Sequence, residues 1–108
     1  MIEIKLVLNS NGILKNIFVT GHSGFAKIGK DIVCAGVSTL IQTLNLTLKL
    51  IPDVEFKCIS KKDYYLEILK FDESIIGELR GITVFLITGL DAIFLKYKNN
   101  LKFEISRS

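Results

Sequence analysis

Apolar residues repeat with two different periods along this chain, and the change of period is what most constrains its fold. In the first eight residues they alternate with Glu3 and Lys5, which is the pattern of a strand buried on one face. After Asp31 they recur every three or four positions, which is the pattern of an amphipathic helix that ends at Pro52. The helical stripe consists of Val33, Val37, Leu40, Ile41, Leu44, Leu48 and Ile51. The chain therefore combines half-buried strands with helices.

The remaining elements follow from turn signals and from the same two periods. Asn11-Gly12 is typical of a tight turn, so residues 13–20 are predicted to return as the second strand of a hairpin. Strands are also predicted at 54–58, 64–70 and 101–105, with a second helix from Asp72 or Ser74 to about Lys98. The order ββαββαβ predicts an α+β fold, a two-layer sandwich in which two helices cover one face of a mostly antiparallel five-stranded sheet.

Length and composition favour one soluble domain over residues 1–108. The chain has 108 residues, of which 49% are hydrophobic, and a domain of this size can form a core without disulfides or a metal. Mean hydropathy is high at +0.42, but polar residues interrupt the 33–51 stretch, and MIEIKLVLNS lacks the pattern of a signal peptide. We expect a cytoplasmic protein with no membrane contact, in which Cys34 and Cys58 are free thiols.

The charge pattern gives no indication of a nucleic-acid partner. The net charge is +3, and the basic residues are spread along the chain rather than clustered. Lys61-Lys62 beside Tyr64-Tyr65 is one of two places where basic and aromatic residues lie together, and it is interpreted as a solvated turn. We therefore predict no direct nucleic-acid binding.

One cysteine and the only histidine stand where thiol chemistry would need them. If Asp31 caps the first helix, Cys34 is its third residue, where unpaired N–H groups and the helix dipole stabilise an anion such as a thiolate. His22 lies twelve residues earlier in a glycine-rich loop, residues 21–30, that would let it approach Cys34. The simpler alternative is that Cys34 is a small buried hydrophobe and His22 a surface residue. Cys58 shares a strand face with apolar residues and is predicted to be core.

Two competing interpretations use the same segment or the same element order. Residues 24–31 approach the phosphate-binding loop pattern, but Asp31 stands where a Mg²⁺-binding hydroxyl is required, and hairpins do not suit that parallel-sheet fold. Without its first strand, the element order is that of ferredoxin-like RNA-binding modules, but strands 53–59 and 64–70 lack the stacked aromatics of RNA recognition. A non-catalytic ribosome-associated module that binds protein or RNA is kept as the alternative function.

Gly21-His22 and the run Gly29-Lys30-Asp31-Ile32-Val33-Cys34-Ala35-Gly36-Val37-Ser38 resemble the signature of Prp, the bacterial ribosomal-processing cysteine protease family. The resemblance implies a homodimeric cysteine endopeptidase that needs no cofactor or metal. Its implied substrate is large-subunit ribosomal protein L twenty-seven, from which it removes a short N-terminal extension. His22 would be the general base, Cys34 the nucleophile, and Asp31 and Ser38 supporting residues.

The same resemblance implies a loop that closes over the substrate, and an apolar pocket beside Cys34, because family substrates break after an aromatic residue. Gly21, Gly24 and Gly29 would give the loop the freedom to close over a bound peptide. Phe25 and Ile28 are the candidate lid contacts. Together these five residues form the predicted substrate loop.

Overall fold

The computed structural model describes residues 1–21, 24, 26–27 and 31–108, and within these it contains five strands and two helices. The predicted order ββαββαβ is confirmed, with a short 3₁₀ turn at Glu73–Ile75 ahead of the second helix. The elements are β1 (Ile2–Leu8), β2 (Leu14–Thr20), α1 (Ile32–Lys49), β3 (Val54–Ser60), β4 (Tyr64–Phe71), α2 (Ile76–Lys96) and β5 (Leu101–Arg107).

The five strands form one mixed sheet in the order β3-β4-β2-β1-β5. Three neighbouring pairs are antiparallel, and β1 and β5 pair in parallel along their whole length. The prediction of a mostly antiparallel sheet is therefore confirmed. Because β1, β4 and β5 begin at the same end of the sheet at which β2 and β3 finish, the segments that lead into and out of these strands meet there.

The hairpin between β1 and β2 contains the Asn-Gly turn that the sequence predicts. The Asn9 side chain accepts hydrogen bonds from the amides of Asn11 and Ile13, and Gly12 has a φ of 75°, which favours glycine. The register shifts by one residue where Leu8 pairs with Leu14, which is a β-bulge. The bulge lets both Leu14 and Ile17 face the core although they are three residues apart.

The core lies between the sheet and the two helices. α1 contributes the buried residues Val33, Val37, Ile41, Leu44 and Leu48. By length and composition alone α1 could cross a membrane, at 18 residues and a mean hydropathy of 1.3, but this buried stripe packs on the sheet as in a core helix. Cys58 is half-buried against the same core.

The second helix differs in two respects from the sequence prediction. It begins at Ile76 rather than at Asp72 or Ser74, because a 3₁₀ turn capped by Asp72 precedes it, and it ends at Lys96 rather than near Lys98. A polar residue, Thr83, is buried on its sheet-facing side. The Thr83 hydroxyl donates to the Leu79 carbonyl and accepts from the amide of Leu14 at 3.0 Å, so it satisfies a backbone group beside the bulge.

Candidate active site

Asp31 begins α1 as the sequence predicts. Its backbone is extended, and its Oδ1 atom accepts hydrogen bonds from the amides of Val33 and Cys34, both at 3.0 Å. The Asp31 carbonyl also accepts the first helical hydrogen bond, from the amide of Ala35. Asp31 is buried, so this cap fixes the first turn of the helix firmly at the edge of the core.

Cys34 is the third helical residue, in the turn that Asp31 caps. Its side chain is half-buried, packs against the core and lines a cleft of about 370 Å³. Cys34 therefore lies where the sequence predicts it, in the first turn of the helix, at the end of the helix dipole that favours an anion.

The cleft lies at the end of the sheet where β1 begins and β2 ends. One wall is a side of α1, the opposite wall is the turn between β3 and β4, and the floor is formed by buried core residues. It is lined by Ile2, Val19, Gly21, Cys34, Val37, Ser38, Ile41, Gln42, Ser60, Lys61, Lys62, Asp63 and Tyr64. Segments far apart in sequence thus meet around one thiol.

The first turn of α1 offers fewer amides to a substrate than its position suggests. The amides of Val33 and Cys34 already donate to Asp31, and both would have to leave that carboxylate before they could serve an oxyanion.

Ser38 lies one turn after Cys34 and lines the same cleft. Four residues along a helix return to nearly the same side, so Cys34, Ser38 and Gln42 form a row on the α1 wall. Ser38 is half-buried and Gln42 is exposed. The structure thus brings two of the predicted supporting residues, Asp31 and Ser38, beside the predicted nucleophile.

Two residues of the predicted substrate loop are described. Gly21 has a φ of 84°, and a side chain added there would overlap the carbonyl oxygen of Met1, so the position requires glycine. Gly24 has a φ of 70° with open space around it. The other four predicted site residues, His22, Phe25, Ile28 and Gly29, lie outside the described residues.

Tyr64 belongs to the cleft although the sequence indicated only a strand residue. It is 5% exposed, and its hydroxyl donates to the backbone carbonyl of Ile41 at 2.9 Å, which ties β4 to α1 beneath the cleft. Burial raises the pKa of Tyr64 above its usual value, and the neighbouring Cys58 raises it further. The hydroxyl therefore stays protonated and remains a donor. Nothing in a single sequence could reveal this contact between residues 23 positions apart.

Lys61 and Lys62 were interpreted from the sequence as a solvated turn, and the structure places them on the rim of the Cys34 cleft. Both side chains are exposed. In the part of the chain that the structure describes, no three His, Cys, Asp or Glu side chains are grouped as a metal site would require. The described cleft presents the Cys34 thiol, two serine hydroxyls, the Gln42 amide, two ammonium groups and the Asp63 carboxylate.

The chain is thus a small α+β domain. Its half-buried Cys34 lies at the start of a helix, on the wall of a solvent-open cleft. The sequence model of the family described as cysteine protease Prp matches residues 1–102. The chain therefore belongs to the Prp family and is a cysteine protease. Among curated protein sequences, none matches closely enough to add to this assignment.

Solved structures share the fold at low sequence identity. Staphylococcus aureus Prp in complex with a covalently linked product peptide is similar with a TM-score of 0.79 and 20% identity, covering 97% of this chain and 99% of that one. The same protease with a substrate peptide has a TM-score of 0.74 and 19% identity, with the same coverage. A Streptococcus mutans protein has a TM-score of 0.73 and 24% identity, covering 100% of this chain and 96% of that one.

Proposed function

We propose that this protease removes the short N-terminal extension of large-subunit ribosomal protein L twenty-seven, with Cys34 as nucleophile and His22 as general base. The observation that carries the proposal is the position of Cys34, in the capped first turn of α1 and on the wall of a cleft. The Staphylococcus aureus relative is described as a ribosomal processing protease and has been captured with substrate and product peptides. A ribosomal substrate also implies that the protease acts in the cytoplasm.

The reaction begins when His22 accepts the proton of the Cys34 thiol. The thiolate attacks the scissile carbonyl carbon, and the carbonyl oxygen becomes an oxyanion, for which a first-turn amide of α1 released from Asp31 is the candidate donor. The intermediate collapses as the C–N bond breaks, and His22 returns its proton to the leaving amine. Water then hydrolyses the thioester, which releases the carboxylate product and restores the thiol.

Asp31 and Ser38 support this chemistry in different ways. Asp31 holds the amides of the first turn, so it fixes the direction in which the Cys34 side chain leaves the helix. Ser38 offers a hydroxyl to a peptide that lies along the α1 wall. Neither residue needs to exchange a proton with the substrate.

The predicted substrate loop would close over the bound peptide and bring His22 to Cys34 only when substrate is present. Gly24 has a positive φ, which proline cannot adopt. Replacing Gly24 and Gly29 with proline should therefore suppress turnover while the fold survives. Undiminished cleavage by this double variant would argue against closure.

The decisive experiment uses a peptide that spans the extension junction of the native ribosomal protein. It is incubated with wild-type, Cys34→Ala, His22→Ala and Cys58→Ala proteins, and the products are identified by mass spectrometry. We expect one cut by the wild type and by Cys58→Ala, and a loss of at least about a thousandfold in rate for the other two variants. Cleavage that persists in Cys34→Ala would contradict the proposed nucleophile.

The alternative, a non-catalytic ribosome-associated module, predicts a different behaviour of Cys34. An enzyme should react with iodoacetamide faster at Cys34 than at Cys58, because a catalytic thiol must reach its thiolate form. A binding module should show no such preference and should tolerate Cys34→Ala. Folded wild-type protein that neither cuts the junction peptide nor labels preferentially at Cys34 would favour the module.

We also propose that two copies of the chain form a homodimer through the groove between α1 and α2. This groove has a volume of about 740 Å³ and is lined mainly by apolar side chains from both helices. Phe85 lies in its wall and is 72% exposed, which is unusual for so large an apolar side chain in a monomer. A second copy would cover it, in agreement with the homodimer that the family resemblance implies.

A further inference from the structure

The turn between β3 and β4 carries two cations on the rim of the Cys34 cleft. Lys61 and Lys62 are exposed, and within the described residues the ion pairs are Lys57 with Glu67 and Lys102 with Glu104, so neither rim lysine is paired. One carboxylate, that of Asp63, lies in the same turn. The rim therefore has an excess of positive charge, although the chain as a whole carries only +3.

The Tyr64 contact ties the start of β4, directly after this turn, to α1. Tyr64 begins β4 directly after the turn, and its hydroxyl is 2.9 Å from the carbonyl oxygen of Ile41. Ile41 is seven residues after Cys34, and a helix rises about 1.5 Å per residue, so the two lie roughly 10 Å apart along α1. An extended peptide covers about 3.3 Å per residue. A substrate whose scissile bond is at Cys34 and which follows α1 reaches the level of Ile41 after about three residues, on the side of the cleft that Lys61 and Lys62 line.

We propose that Lys61 and Lys62 form a specificity subsite that selects an acidic side chain about three or four residues from the scissile bond. The α1 wall opposite them offers the neutral side chains of Ser38 and Gln42, which can hydrogen-bond to a peptide of any charge. The two ammonium groups outnumber the single carboxylate of Asp63, so the rim discriminates in favour of acidic peptides. This inference rests on the proposed function, because it takes Cys34 as the reacting group.

The test measures peptide binding as well as cleavage. Fluorescent peptides of about ten residues with a central Phe carry a single Glu, or a single Lys, at each other position in turn. Binding is measured with the Cys34→Ala protein, which cannot turn the peptides over. We expect Glu to bind about three- to tenfold more tightly than Lys at a position three or four residues from the Phe, and this preference to weaken as salt is raised.

The Lys61→Glu/Lys62→Glu variant should reverse the preference at that position. The matched control is Lys49→Glu/Lys70→Glu, which changes the net charge equally at the end of α1 and the far end of β4, and it should keep the preference. Equal binding of Glu and Lys peptides, or no peptide binding at all, would overturn the subsite. Cleavage of the set by wild type irrespective of charge would overturn the subsite and leave the proposed protease function intact.

Discussion

The two sides of α1 face two cavities of opposite character. The Cys34 cleft of about 370 Å³ is bordered by a thiol, two serines, two lysines and the Asp63 carboxylate. The groove between α1 and α2 is twice as large, at about 740 Å³, and Glu78 is the one ionisable group among its described lining residues. The smaller cavity has the groups that chemistry requires, and the larger one has the apolar surface that favours association.

Apart from the loss of the catalytic residues, the largest expected effect concerns the apolar side of α1. Phe85→Lys places a charge in the groove, and because an aromatic anchor at an interface contributes about 2 kcal/mol or more, the dimer dissociation constant should rise at least about thirtyfold. The measurement is sedimentation equilibrium over a range of protein concentrations.

Leu69→Lys is the matched control for this prediction. Leu69 is a half-exposed apolar residue on β4, outside the groove, and its substitution should leave the dissociation constant unchanged. The proposed dimer interface would be wrong if the wild-type chain were monomeric at all concentrations. It would also be wrong if Phe85→Lys dimerised as the wild type does.

The next largest expected effect is a loss of stability at the start of α1, beside the Cys34 cleft. Asp31→Ala removes the acceptor of two backbone amides and should lower the free energy of unfolding by about 1–2 kcal/mol. Asp31→Asn keeps a capping oxygen, so its loss of stability should be smaller. Both are measured by urea denaturation, together with the rate of cleavage.

The Asp31→Asn protein keeps a capping oxygen but loses the negative charge, so it distinguishes the two roles of Asp31. If the cap alone matters, its cleavage rate follows its stability and stays near that of the wild type. A folded, stable Asp31→Asn protein with little activity would show that the carboxylate charge acts on the dyad directly.

Local features of this site could be predicted from the sequence, but features that depend on how the strands pair could not. The capping role of Asp31 and the place of Cys34 in the first turn follow from residues within one helical turn of each other. The approach of Lys61 and Lys62 to Cys34 depends on which strands pair and in which register, and hydrophobic alternation does not encode this. The glycine-rich loop and the family resemblance both suggested His22 as a partner for Cys34, and that pairing remains a prediction.

The same distinction explains the differences in the fold. The segment around Leu14 could be recognised as a strand from its apolar residues, but the bulge that turns Leu14 inward is a property of its pairing with β1. Thr83 carries no apolar signal, and its burial became explicable only when its hydroxyl was found against the amide of Leu14. Helix ends at Lys49 and Lys96 differ from the predictions by two residues, because end geometry is set by neighbouring segments.

The smallest expected effect concerns the floor of the cleft, at Tyr64. Tyr64→Phe removes the hydrogen bond to the Ile41 carbonyl and should lower the free energy of unfolding by about 0.5–1.5 kcal/mol near neutral pH. Because the pKa of Tyr64 is raised in the folded state, the unfolded chain loses the phenol proton first as pH rises. The wild type should therefore lose stability progressively above about pH 10, the unperturbed pKa of tyrosine.

Tyr64→Phe lacks this titration, so the stability advantage of the wild type should shrink as pH rises from neutral through this range. Urea denaturation of both proteins at matched pH values measures the difference, and titrating lysines contribute equally to each. A difference that stays constant with pH would mean that the Tyr64 hydroxyl is not held protonated beneath the cleft. In that case the contact between β4 and α1 would not fix the distance from Cys34 to the two rim lysines, and the polar side of α1 would be less rigid than its apolar side.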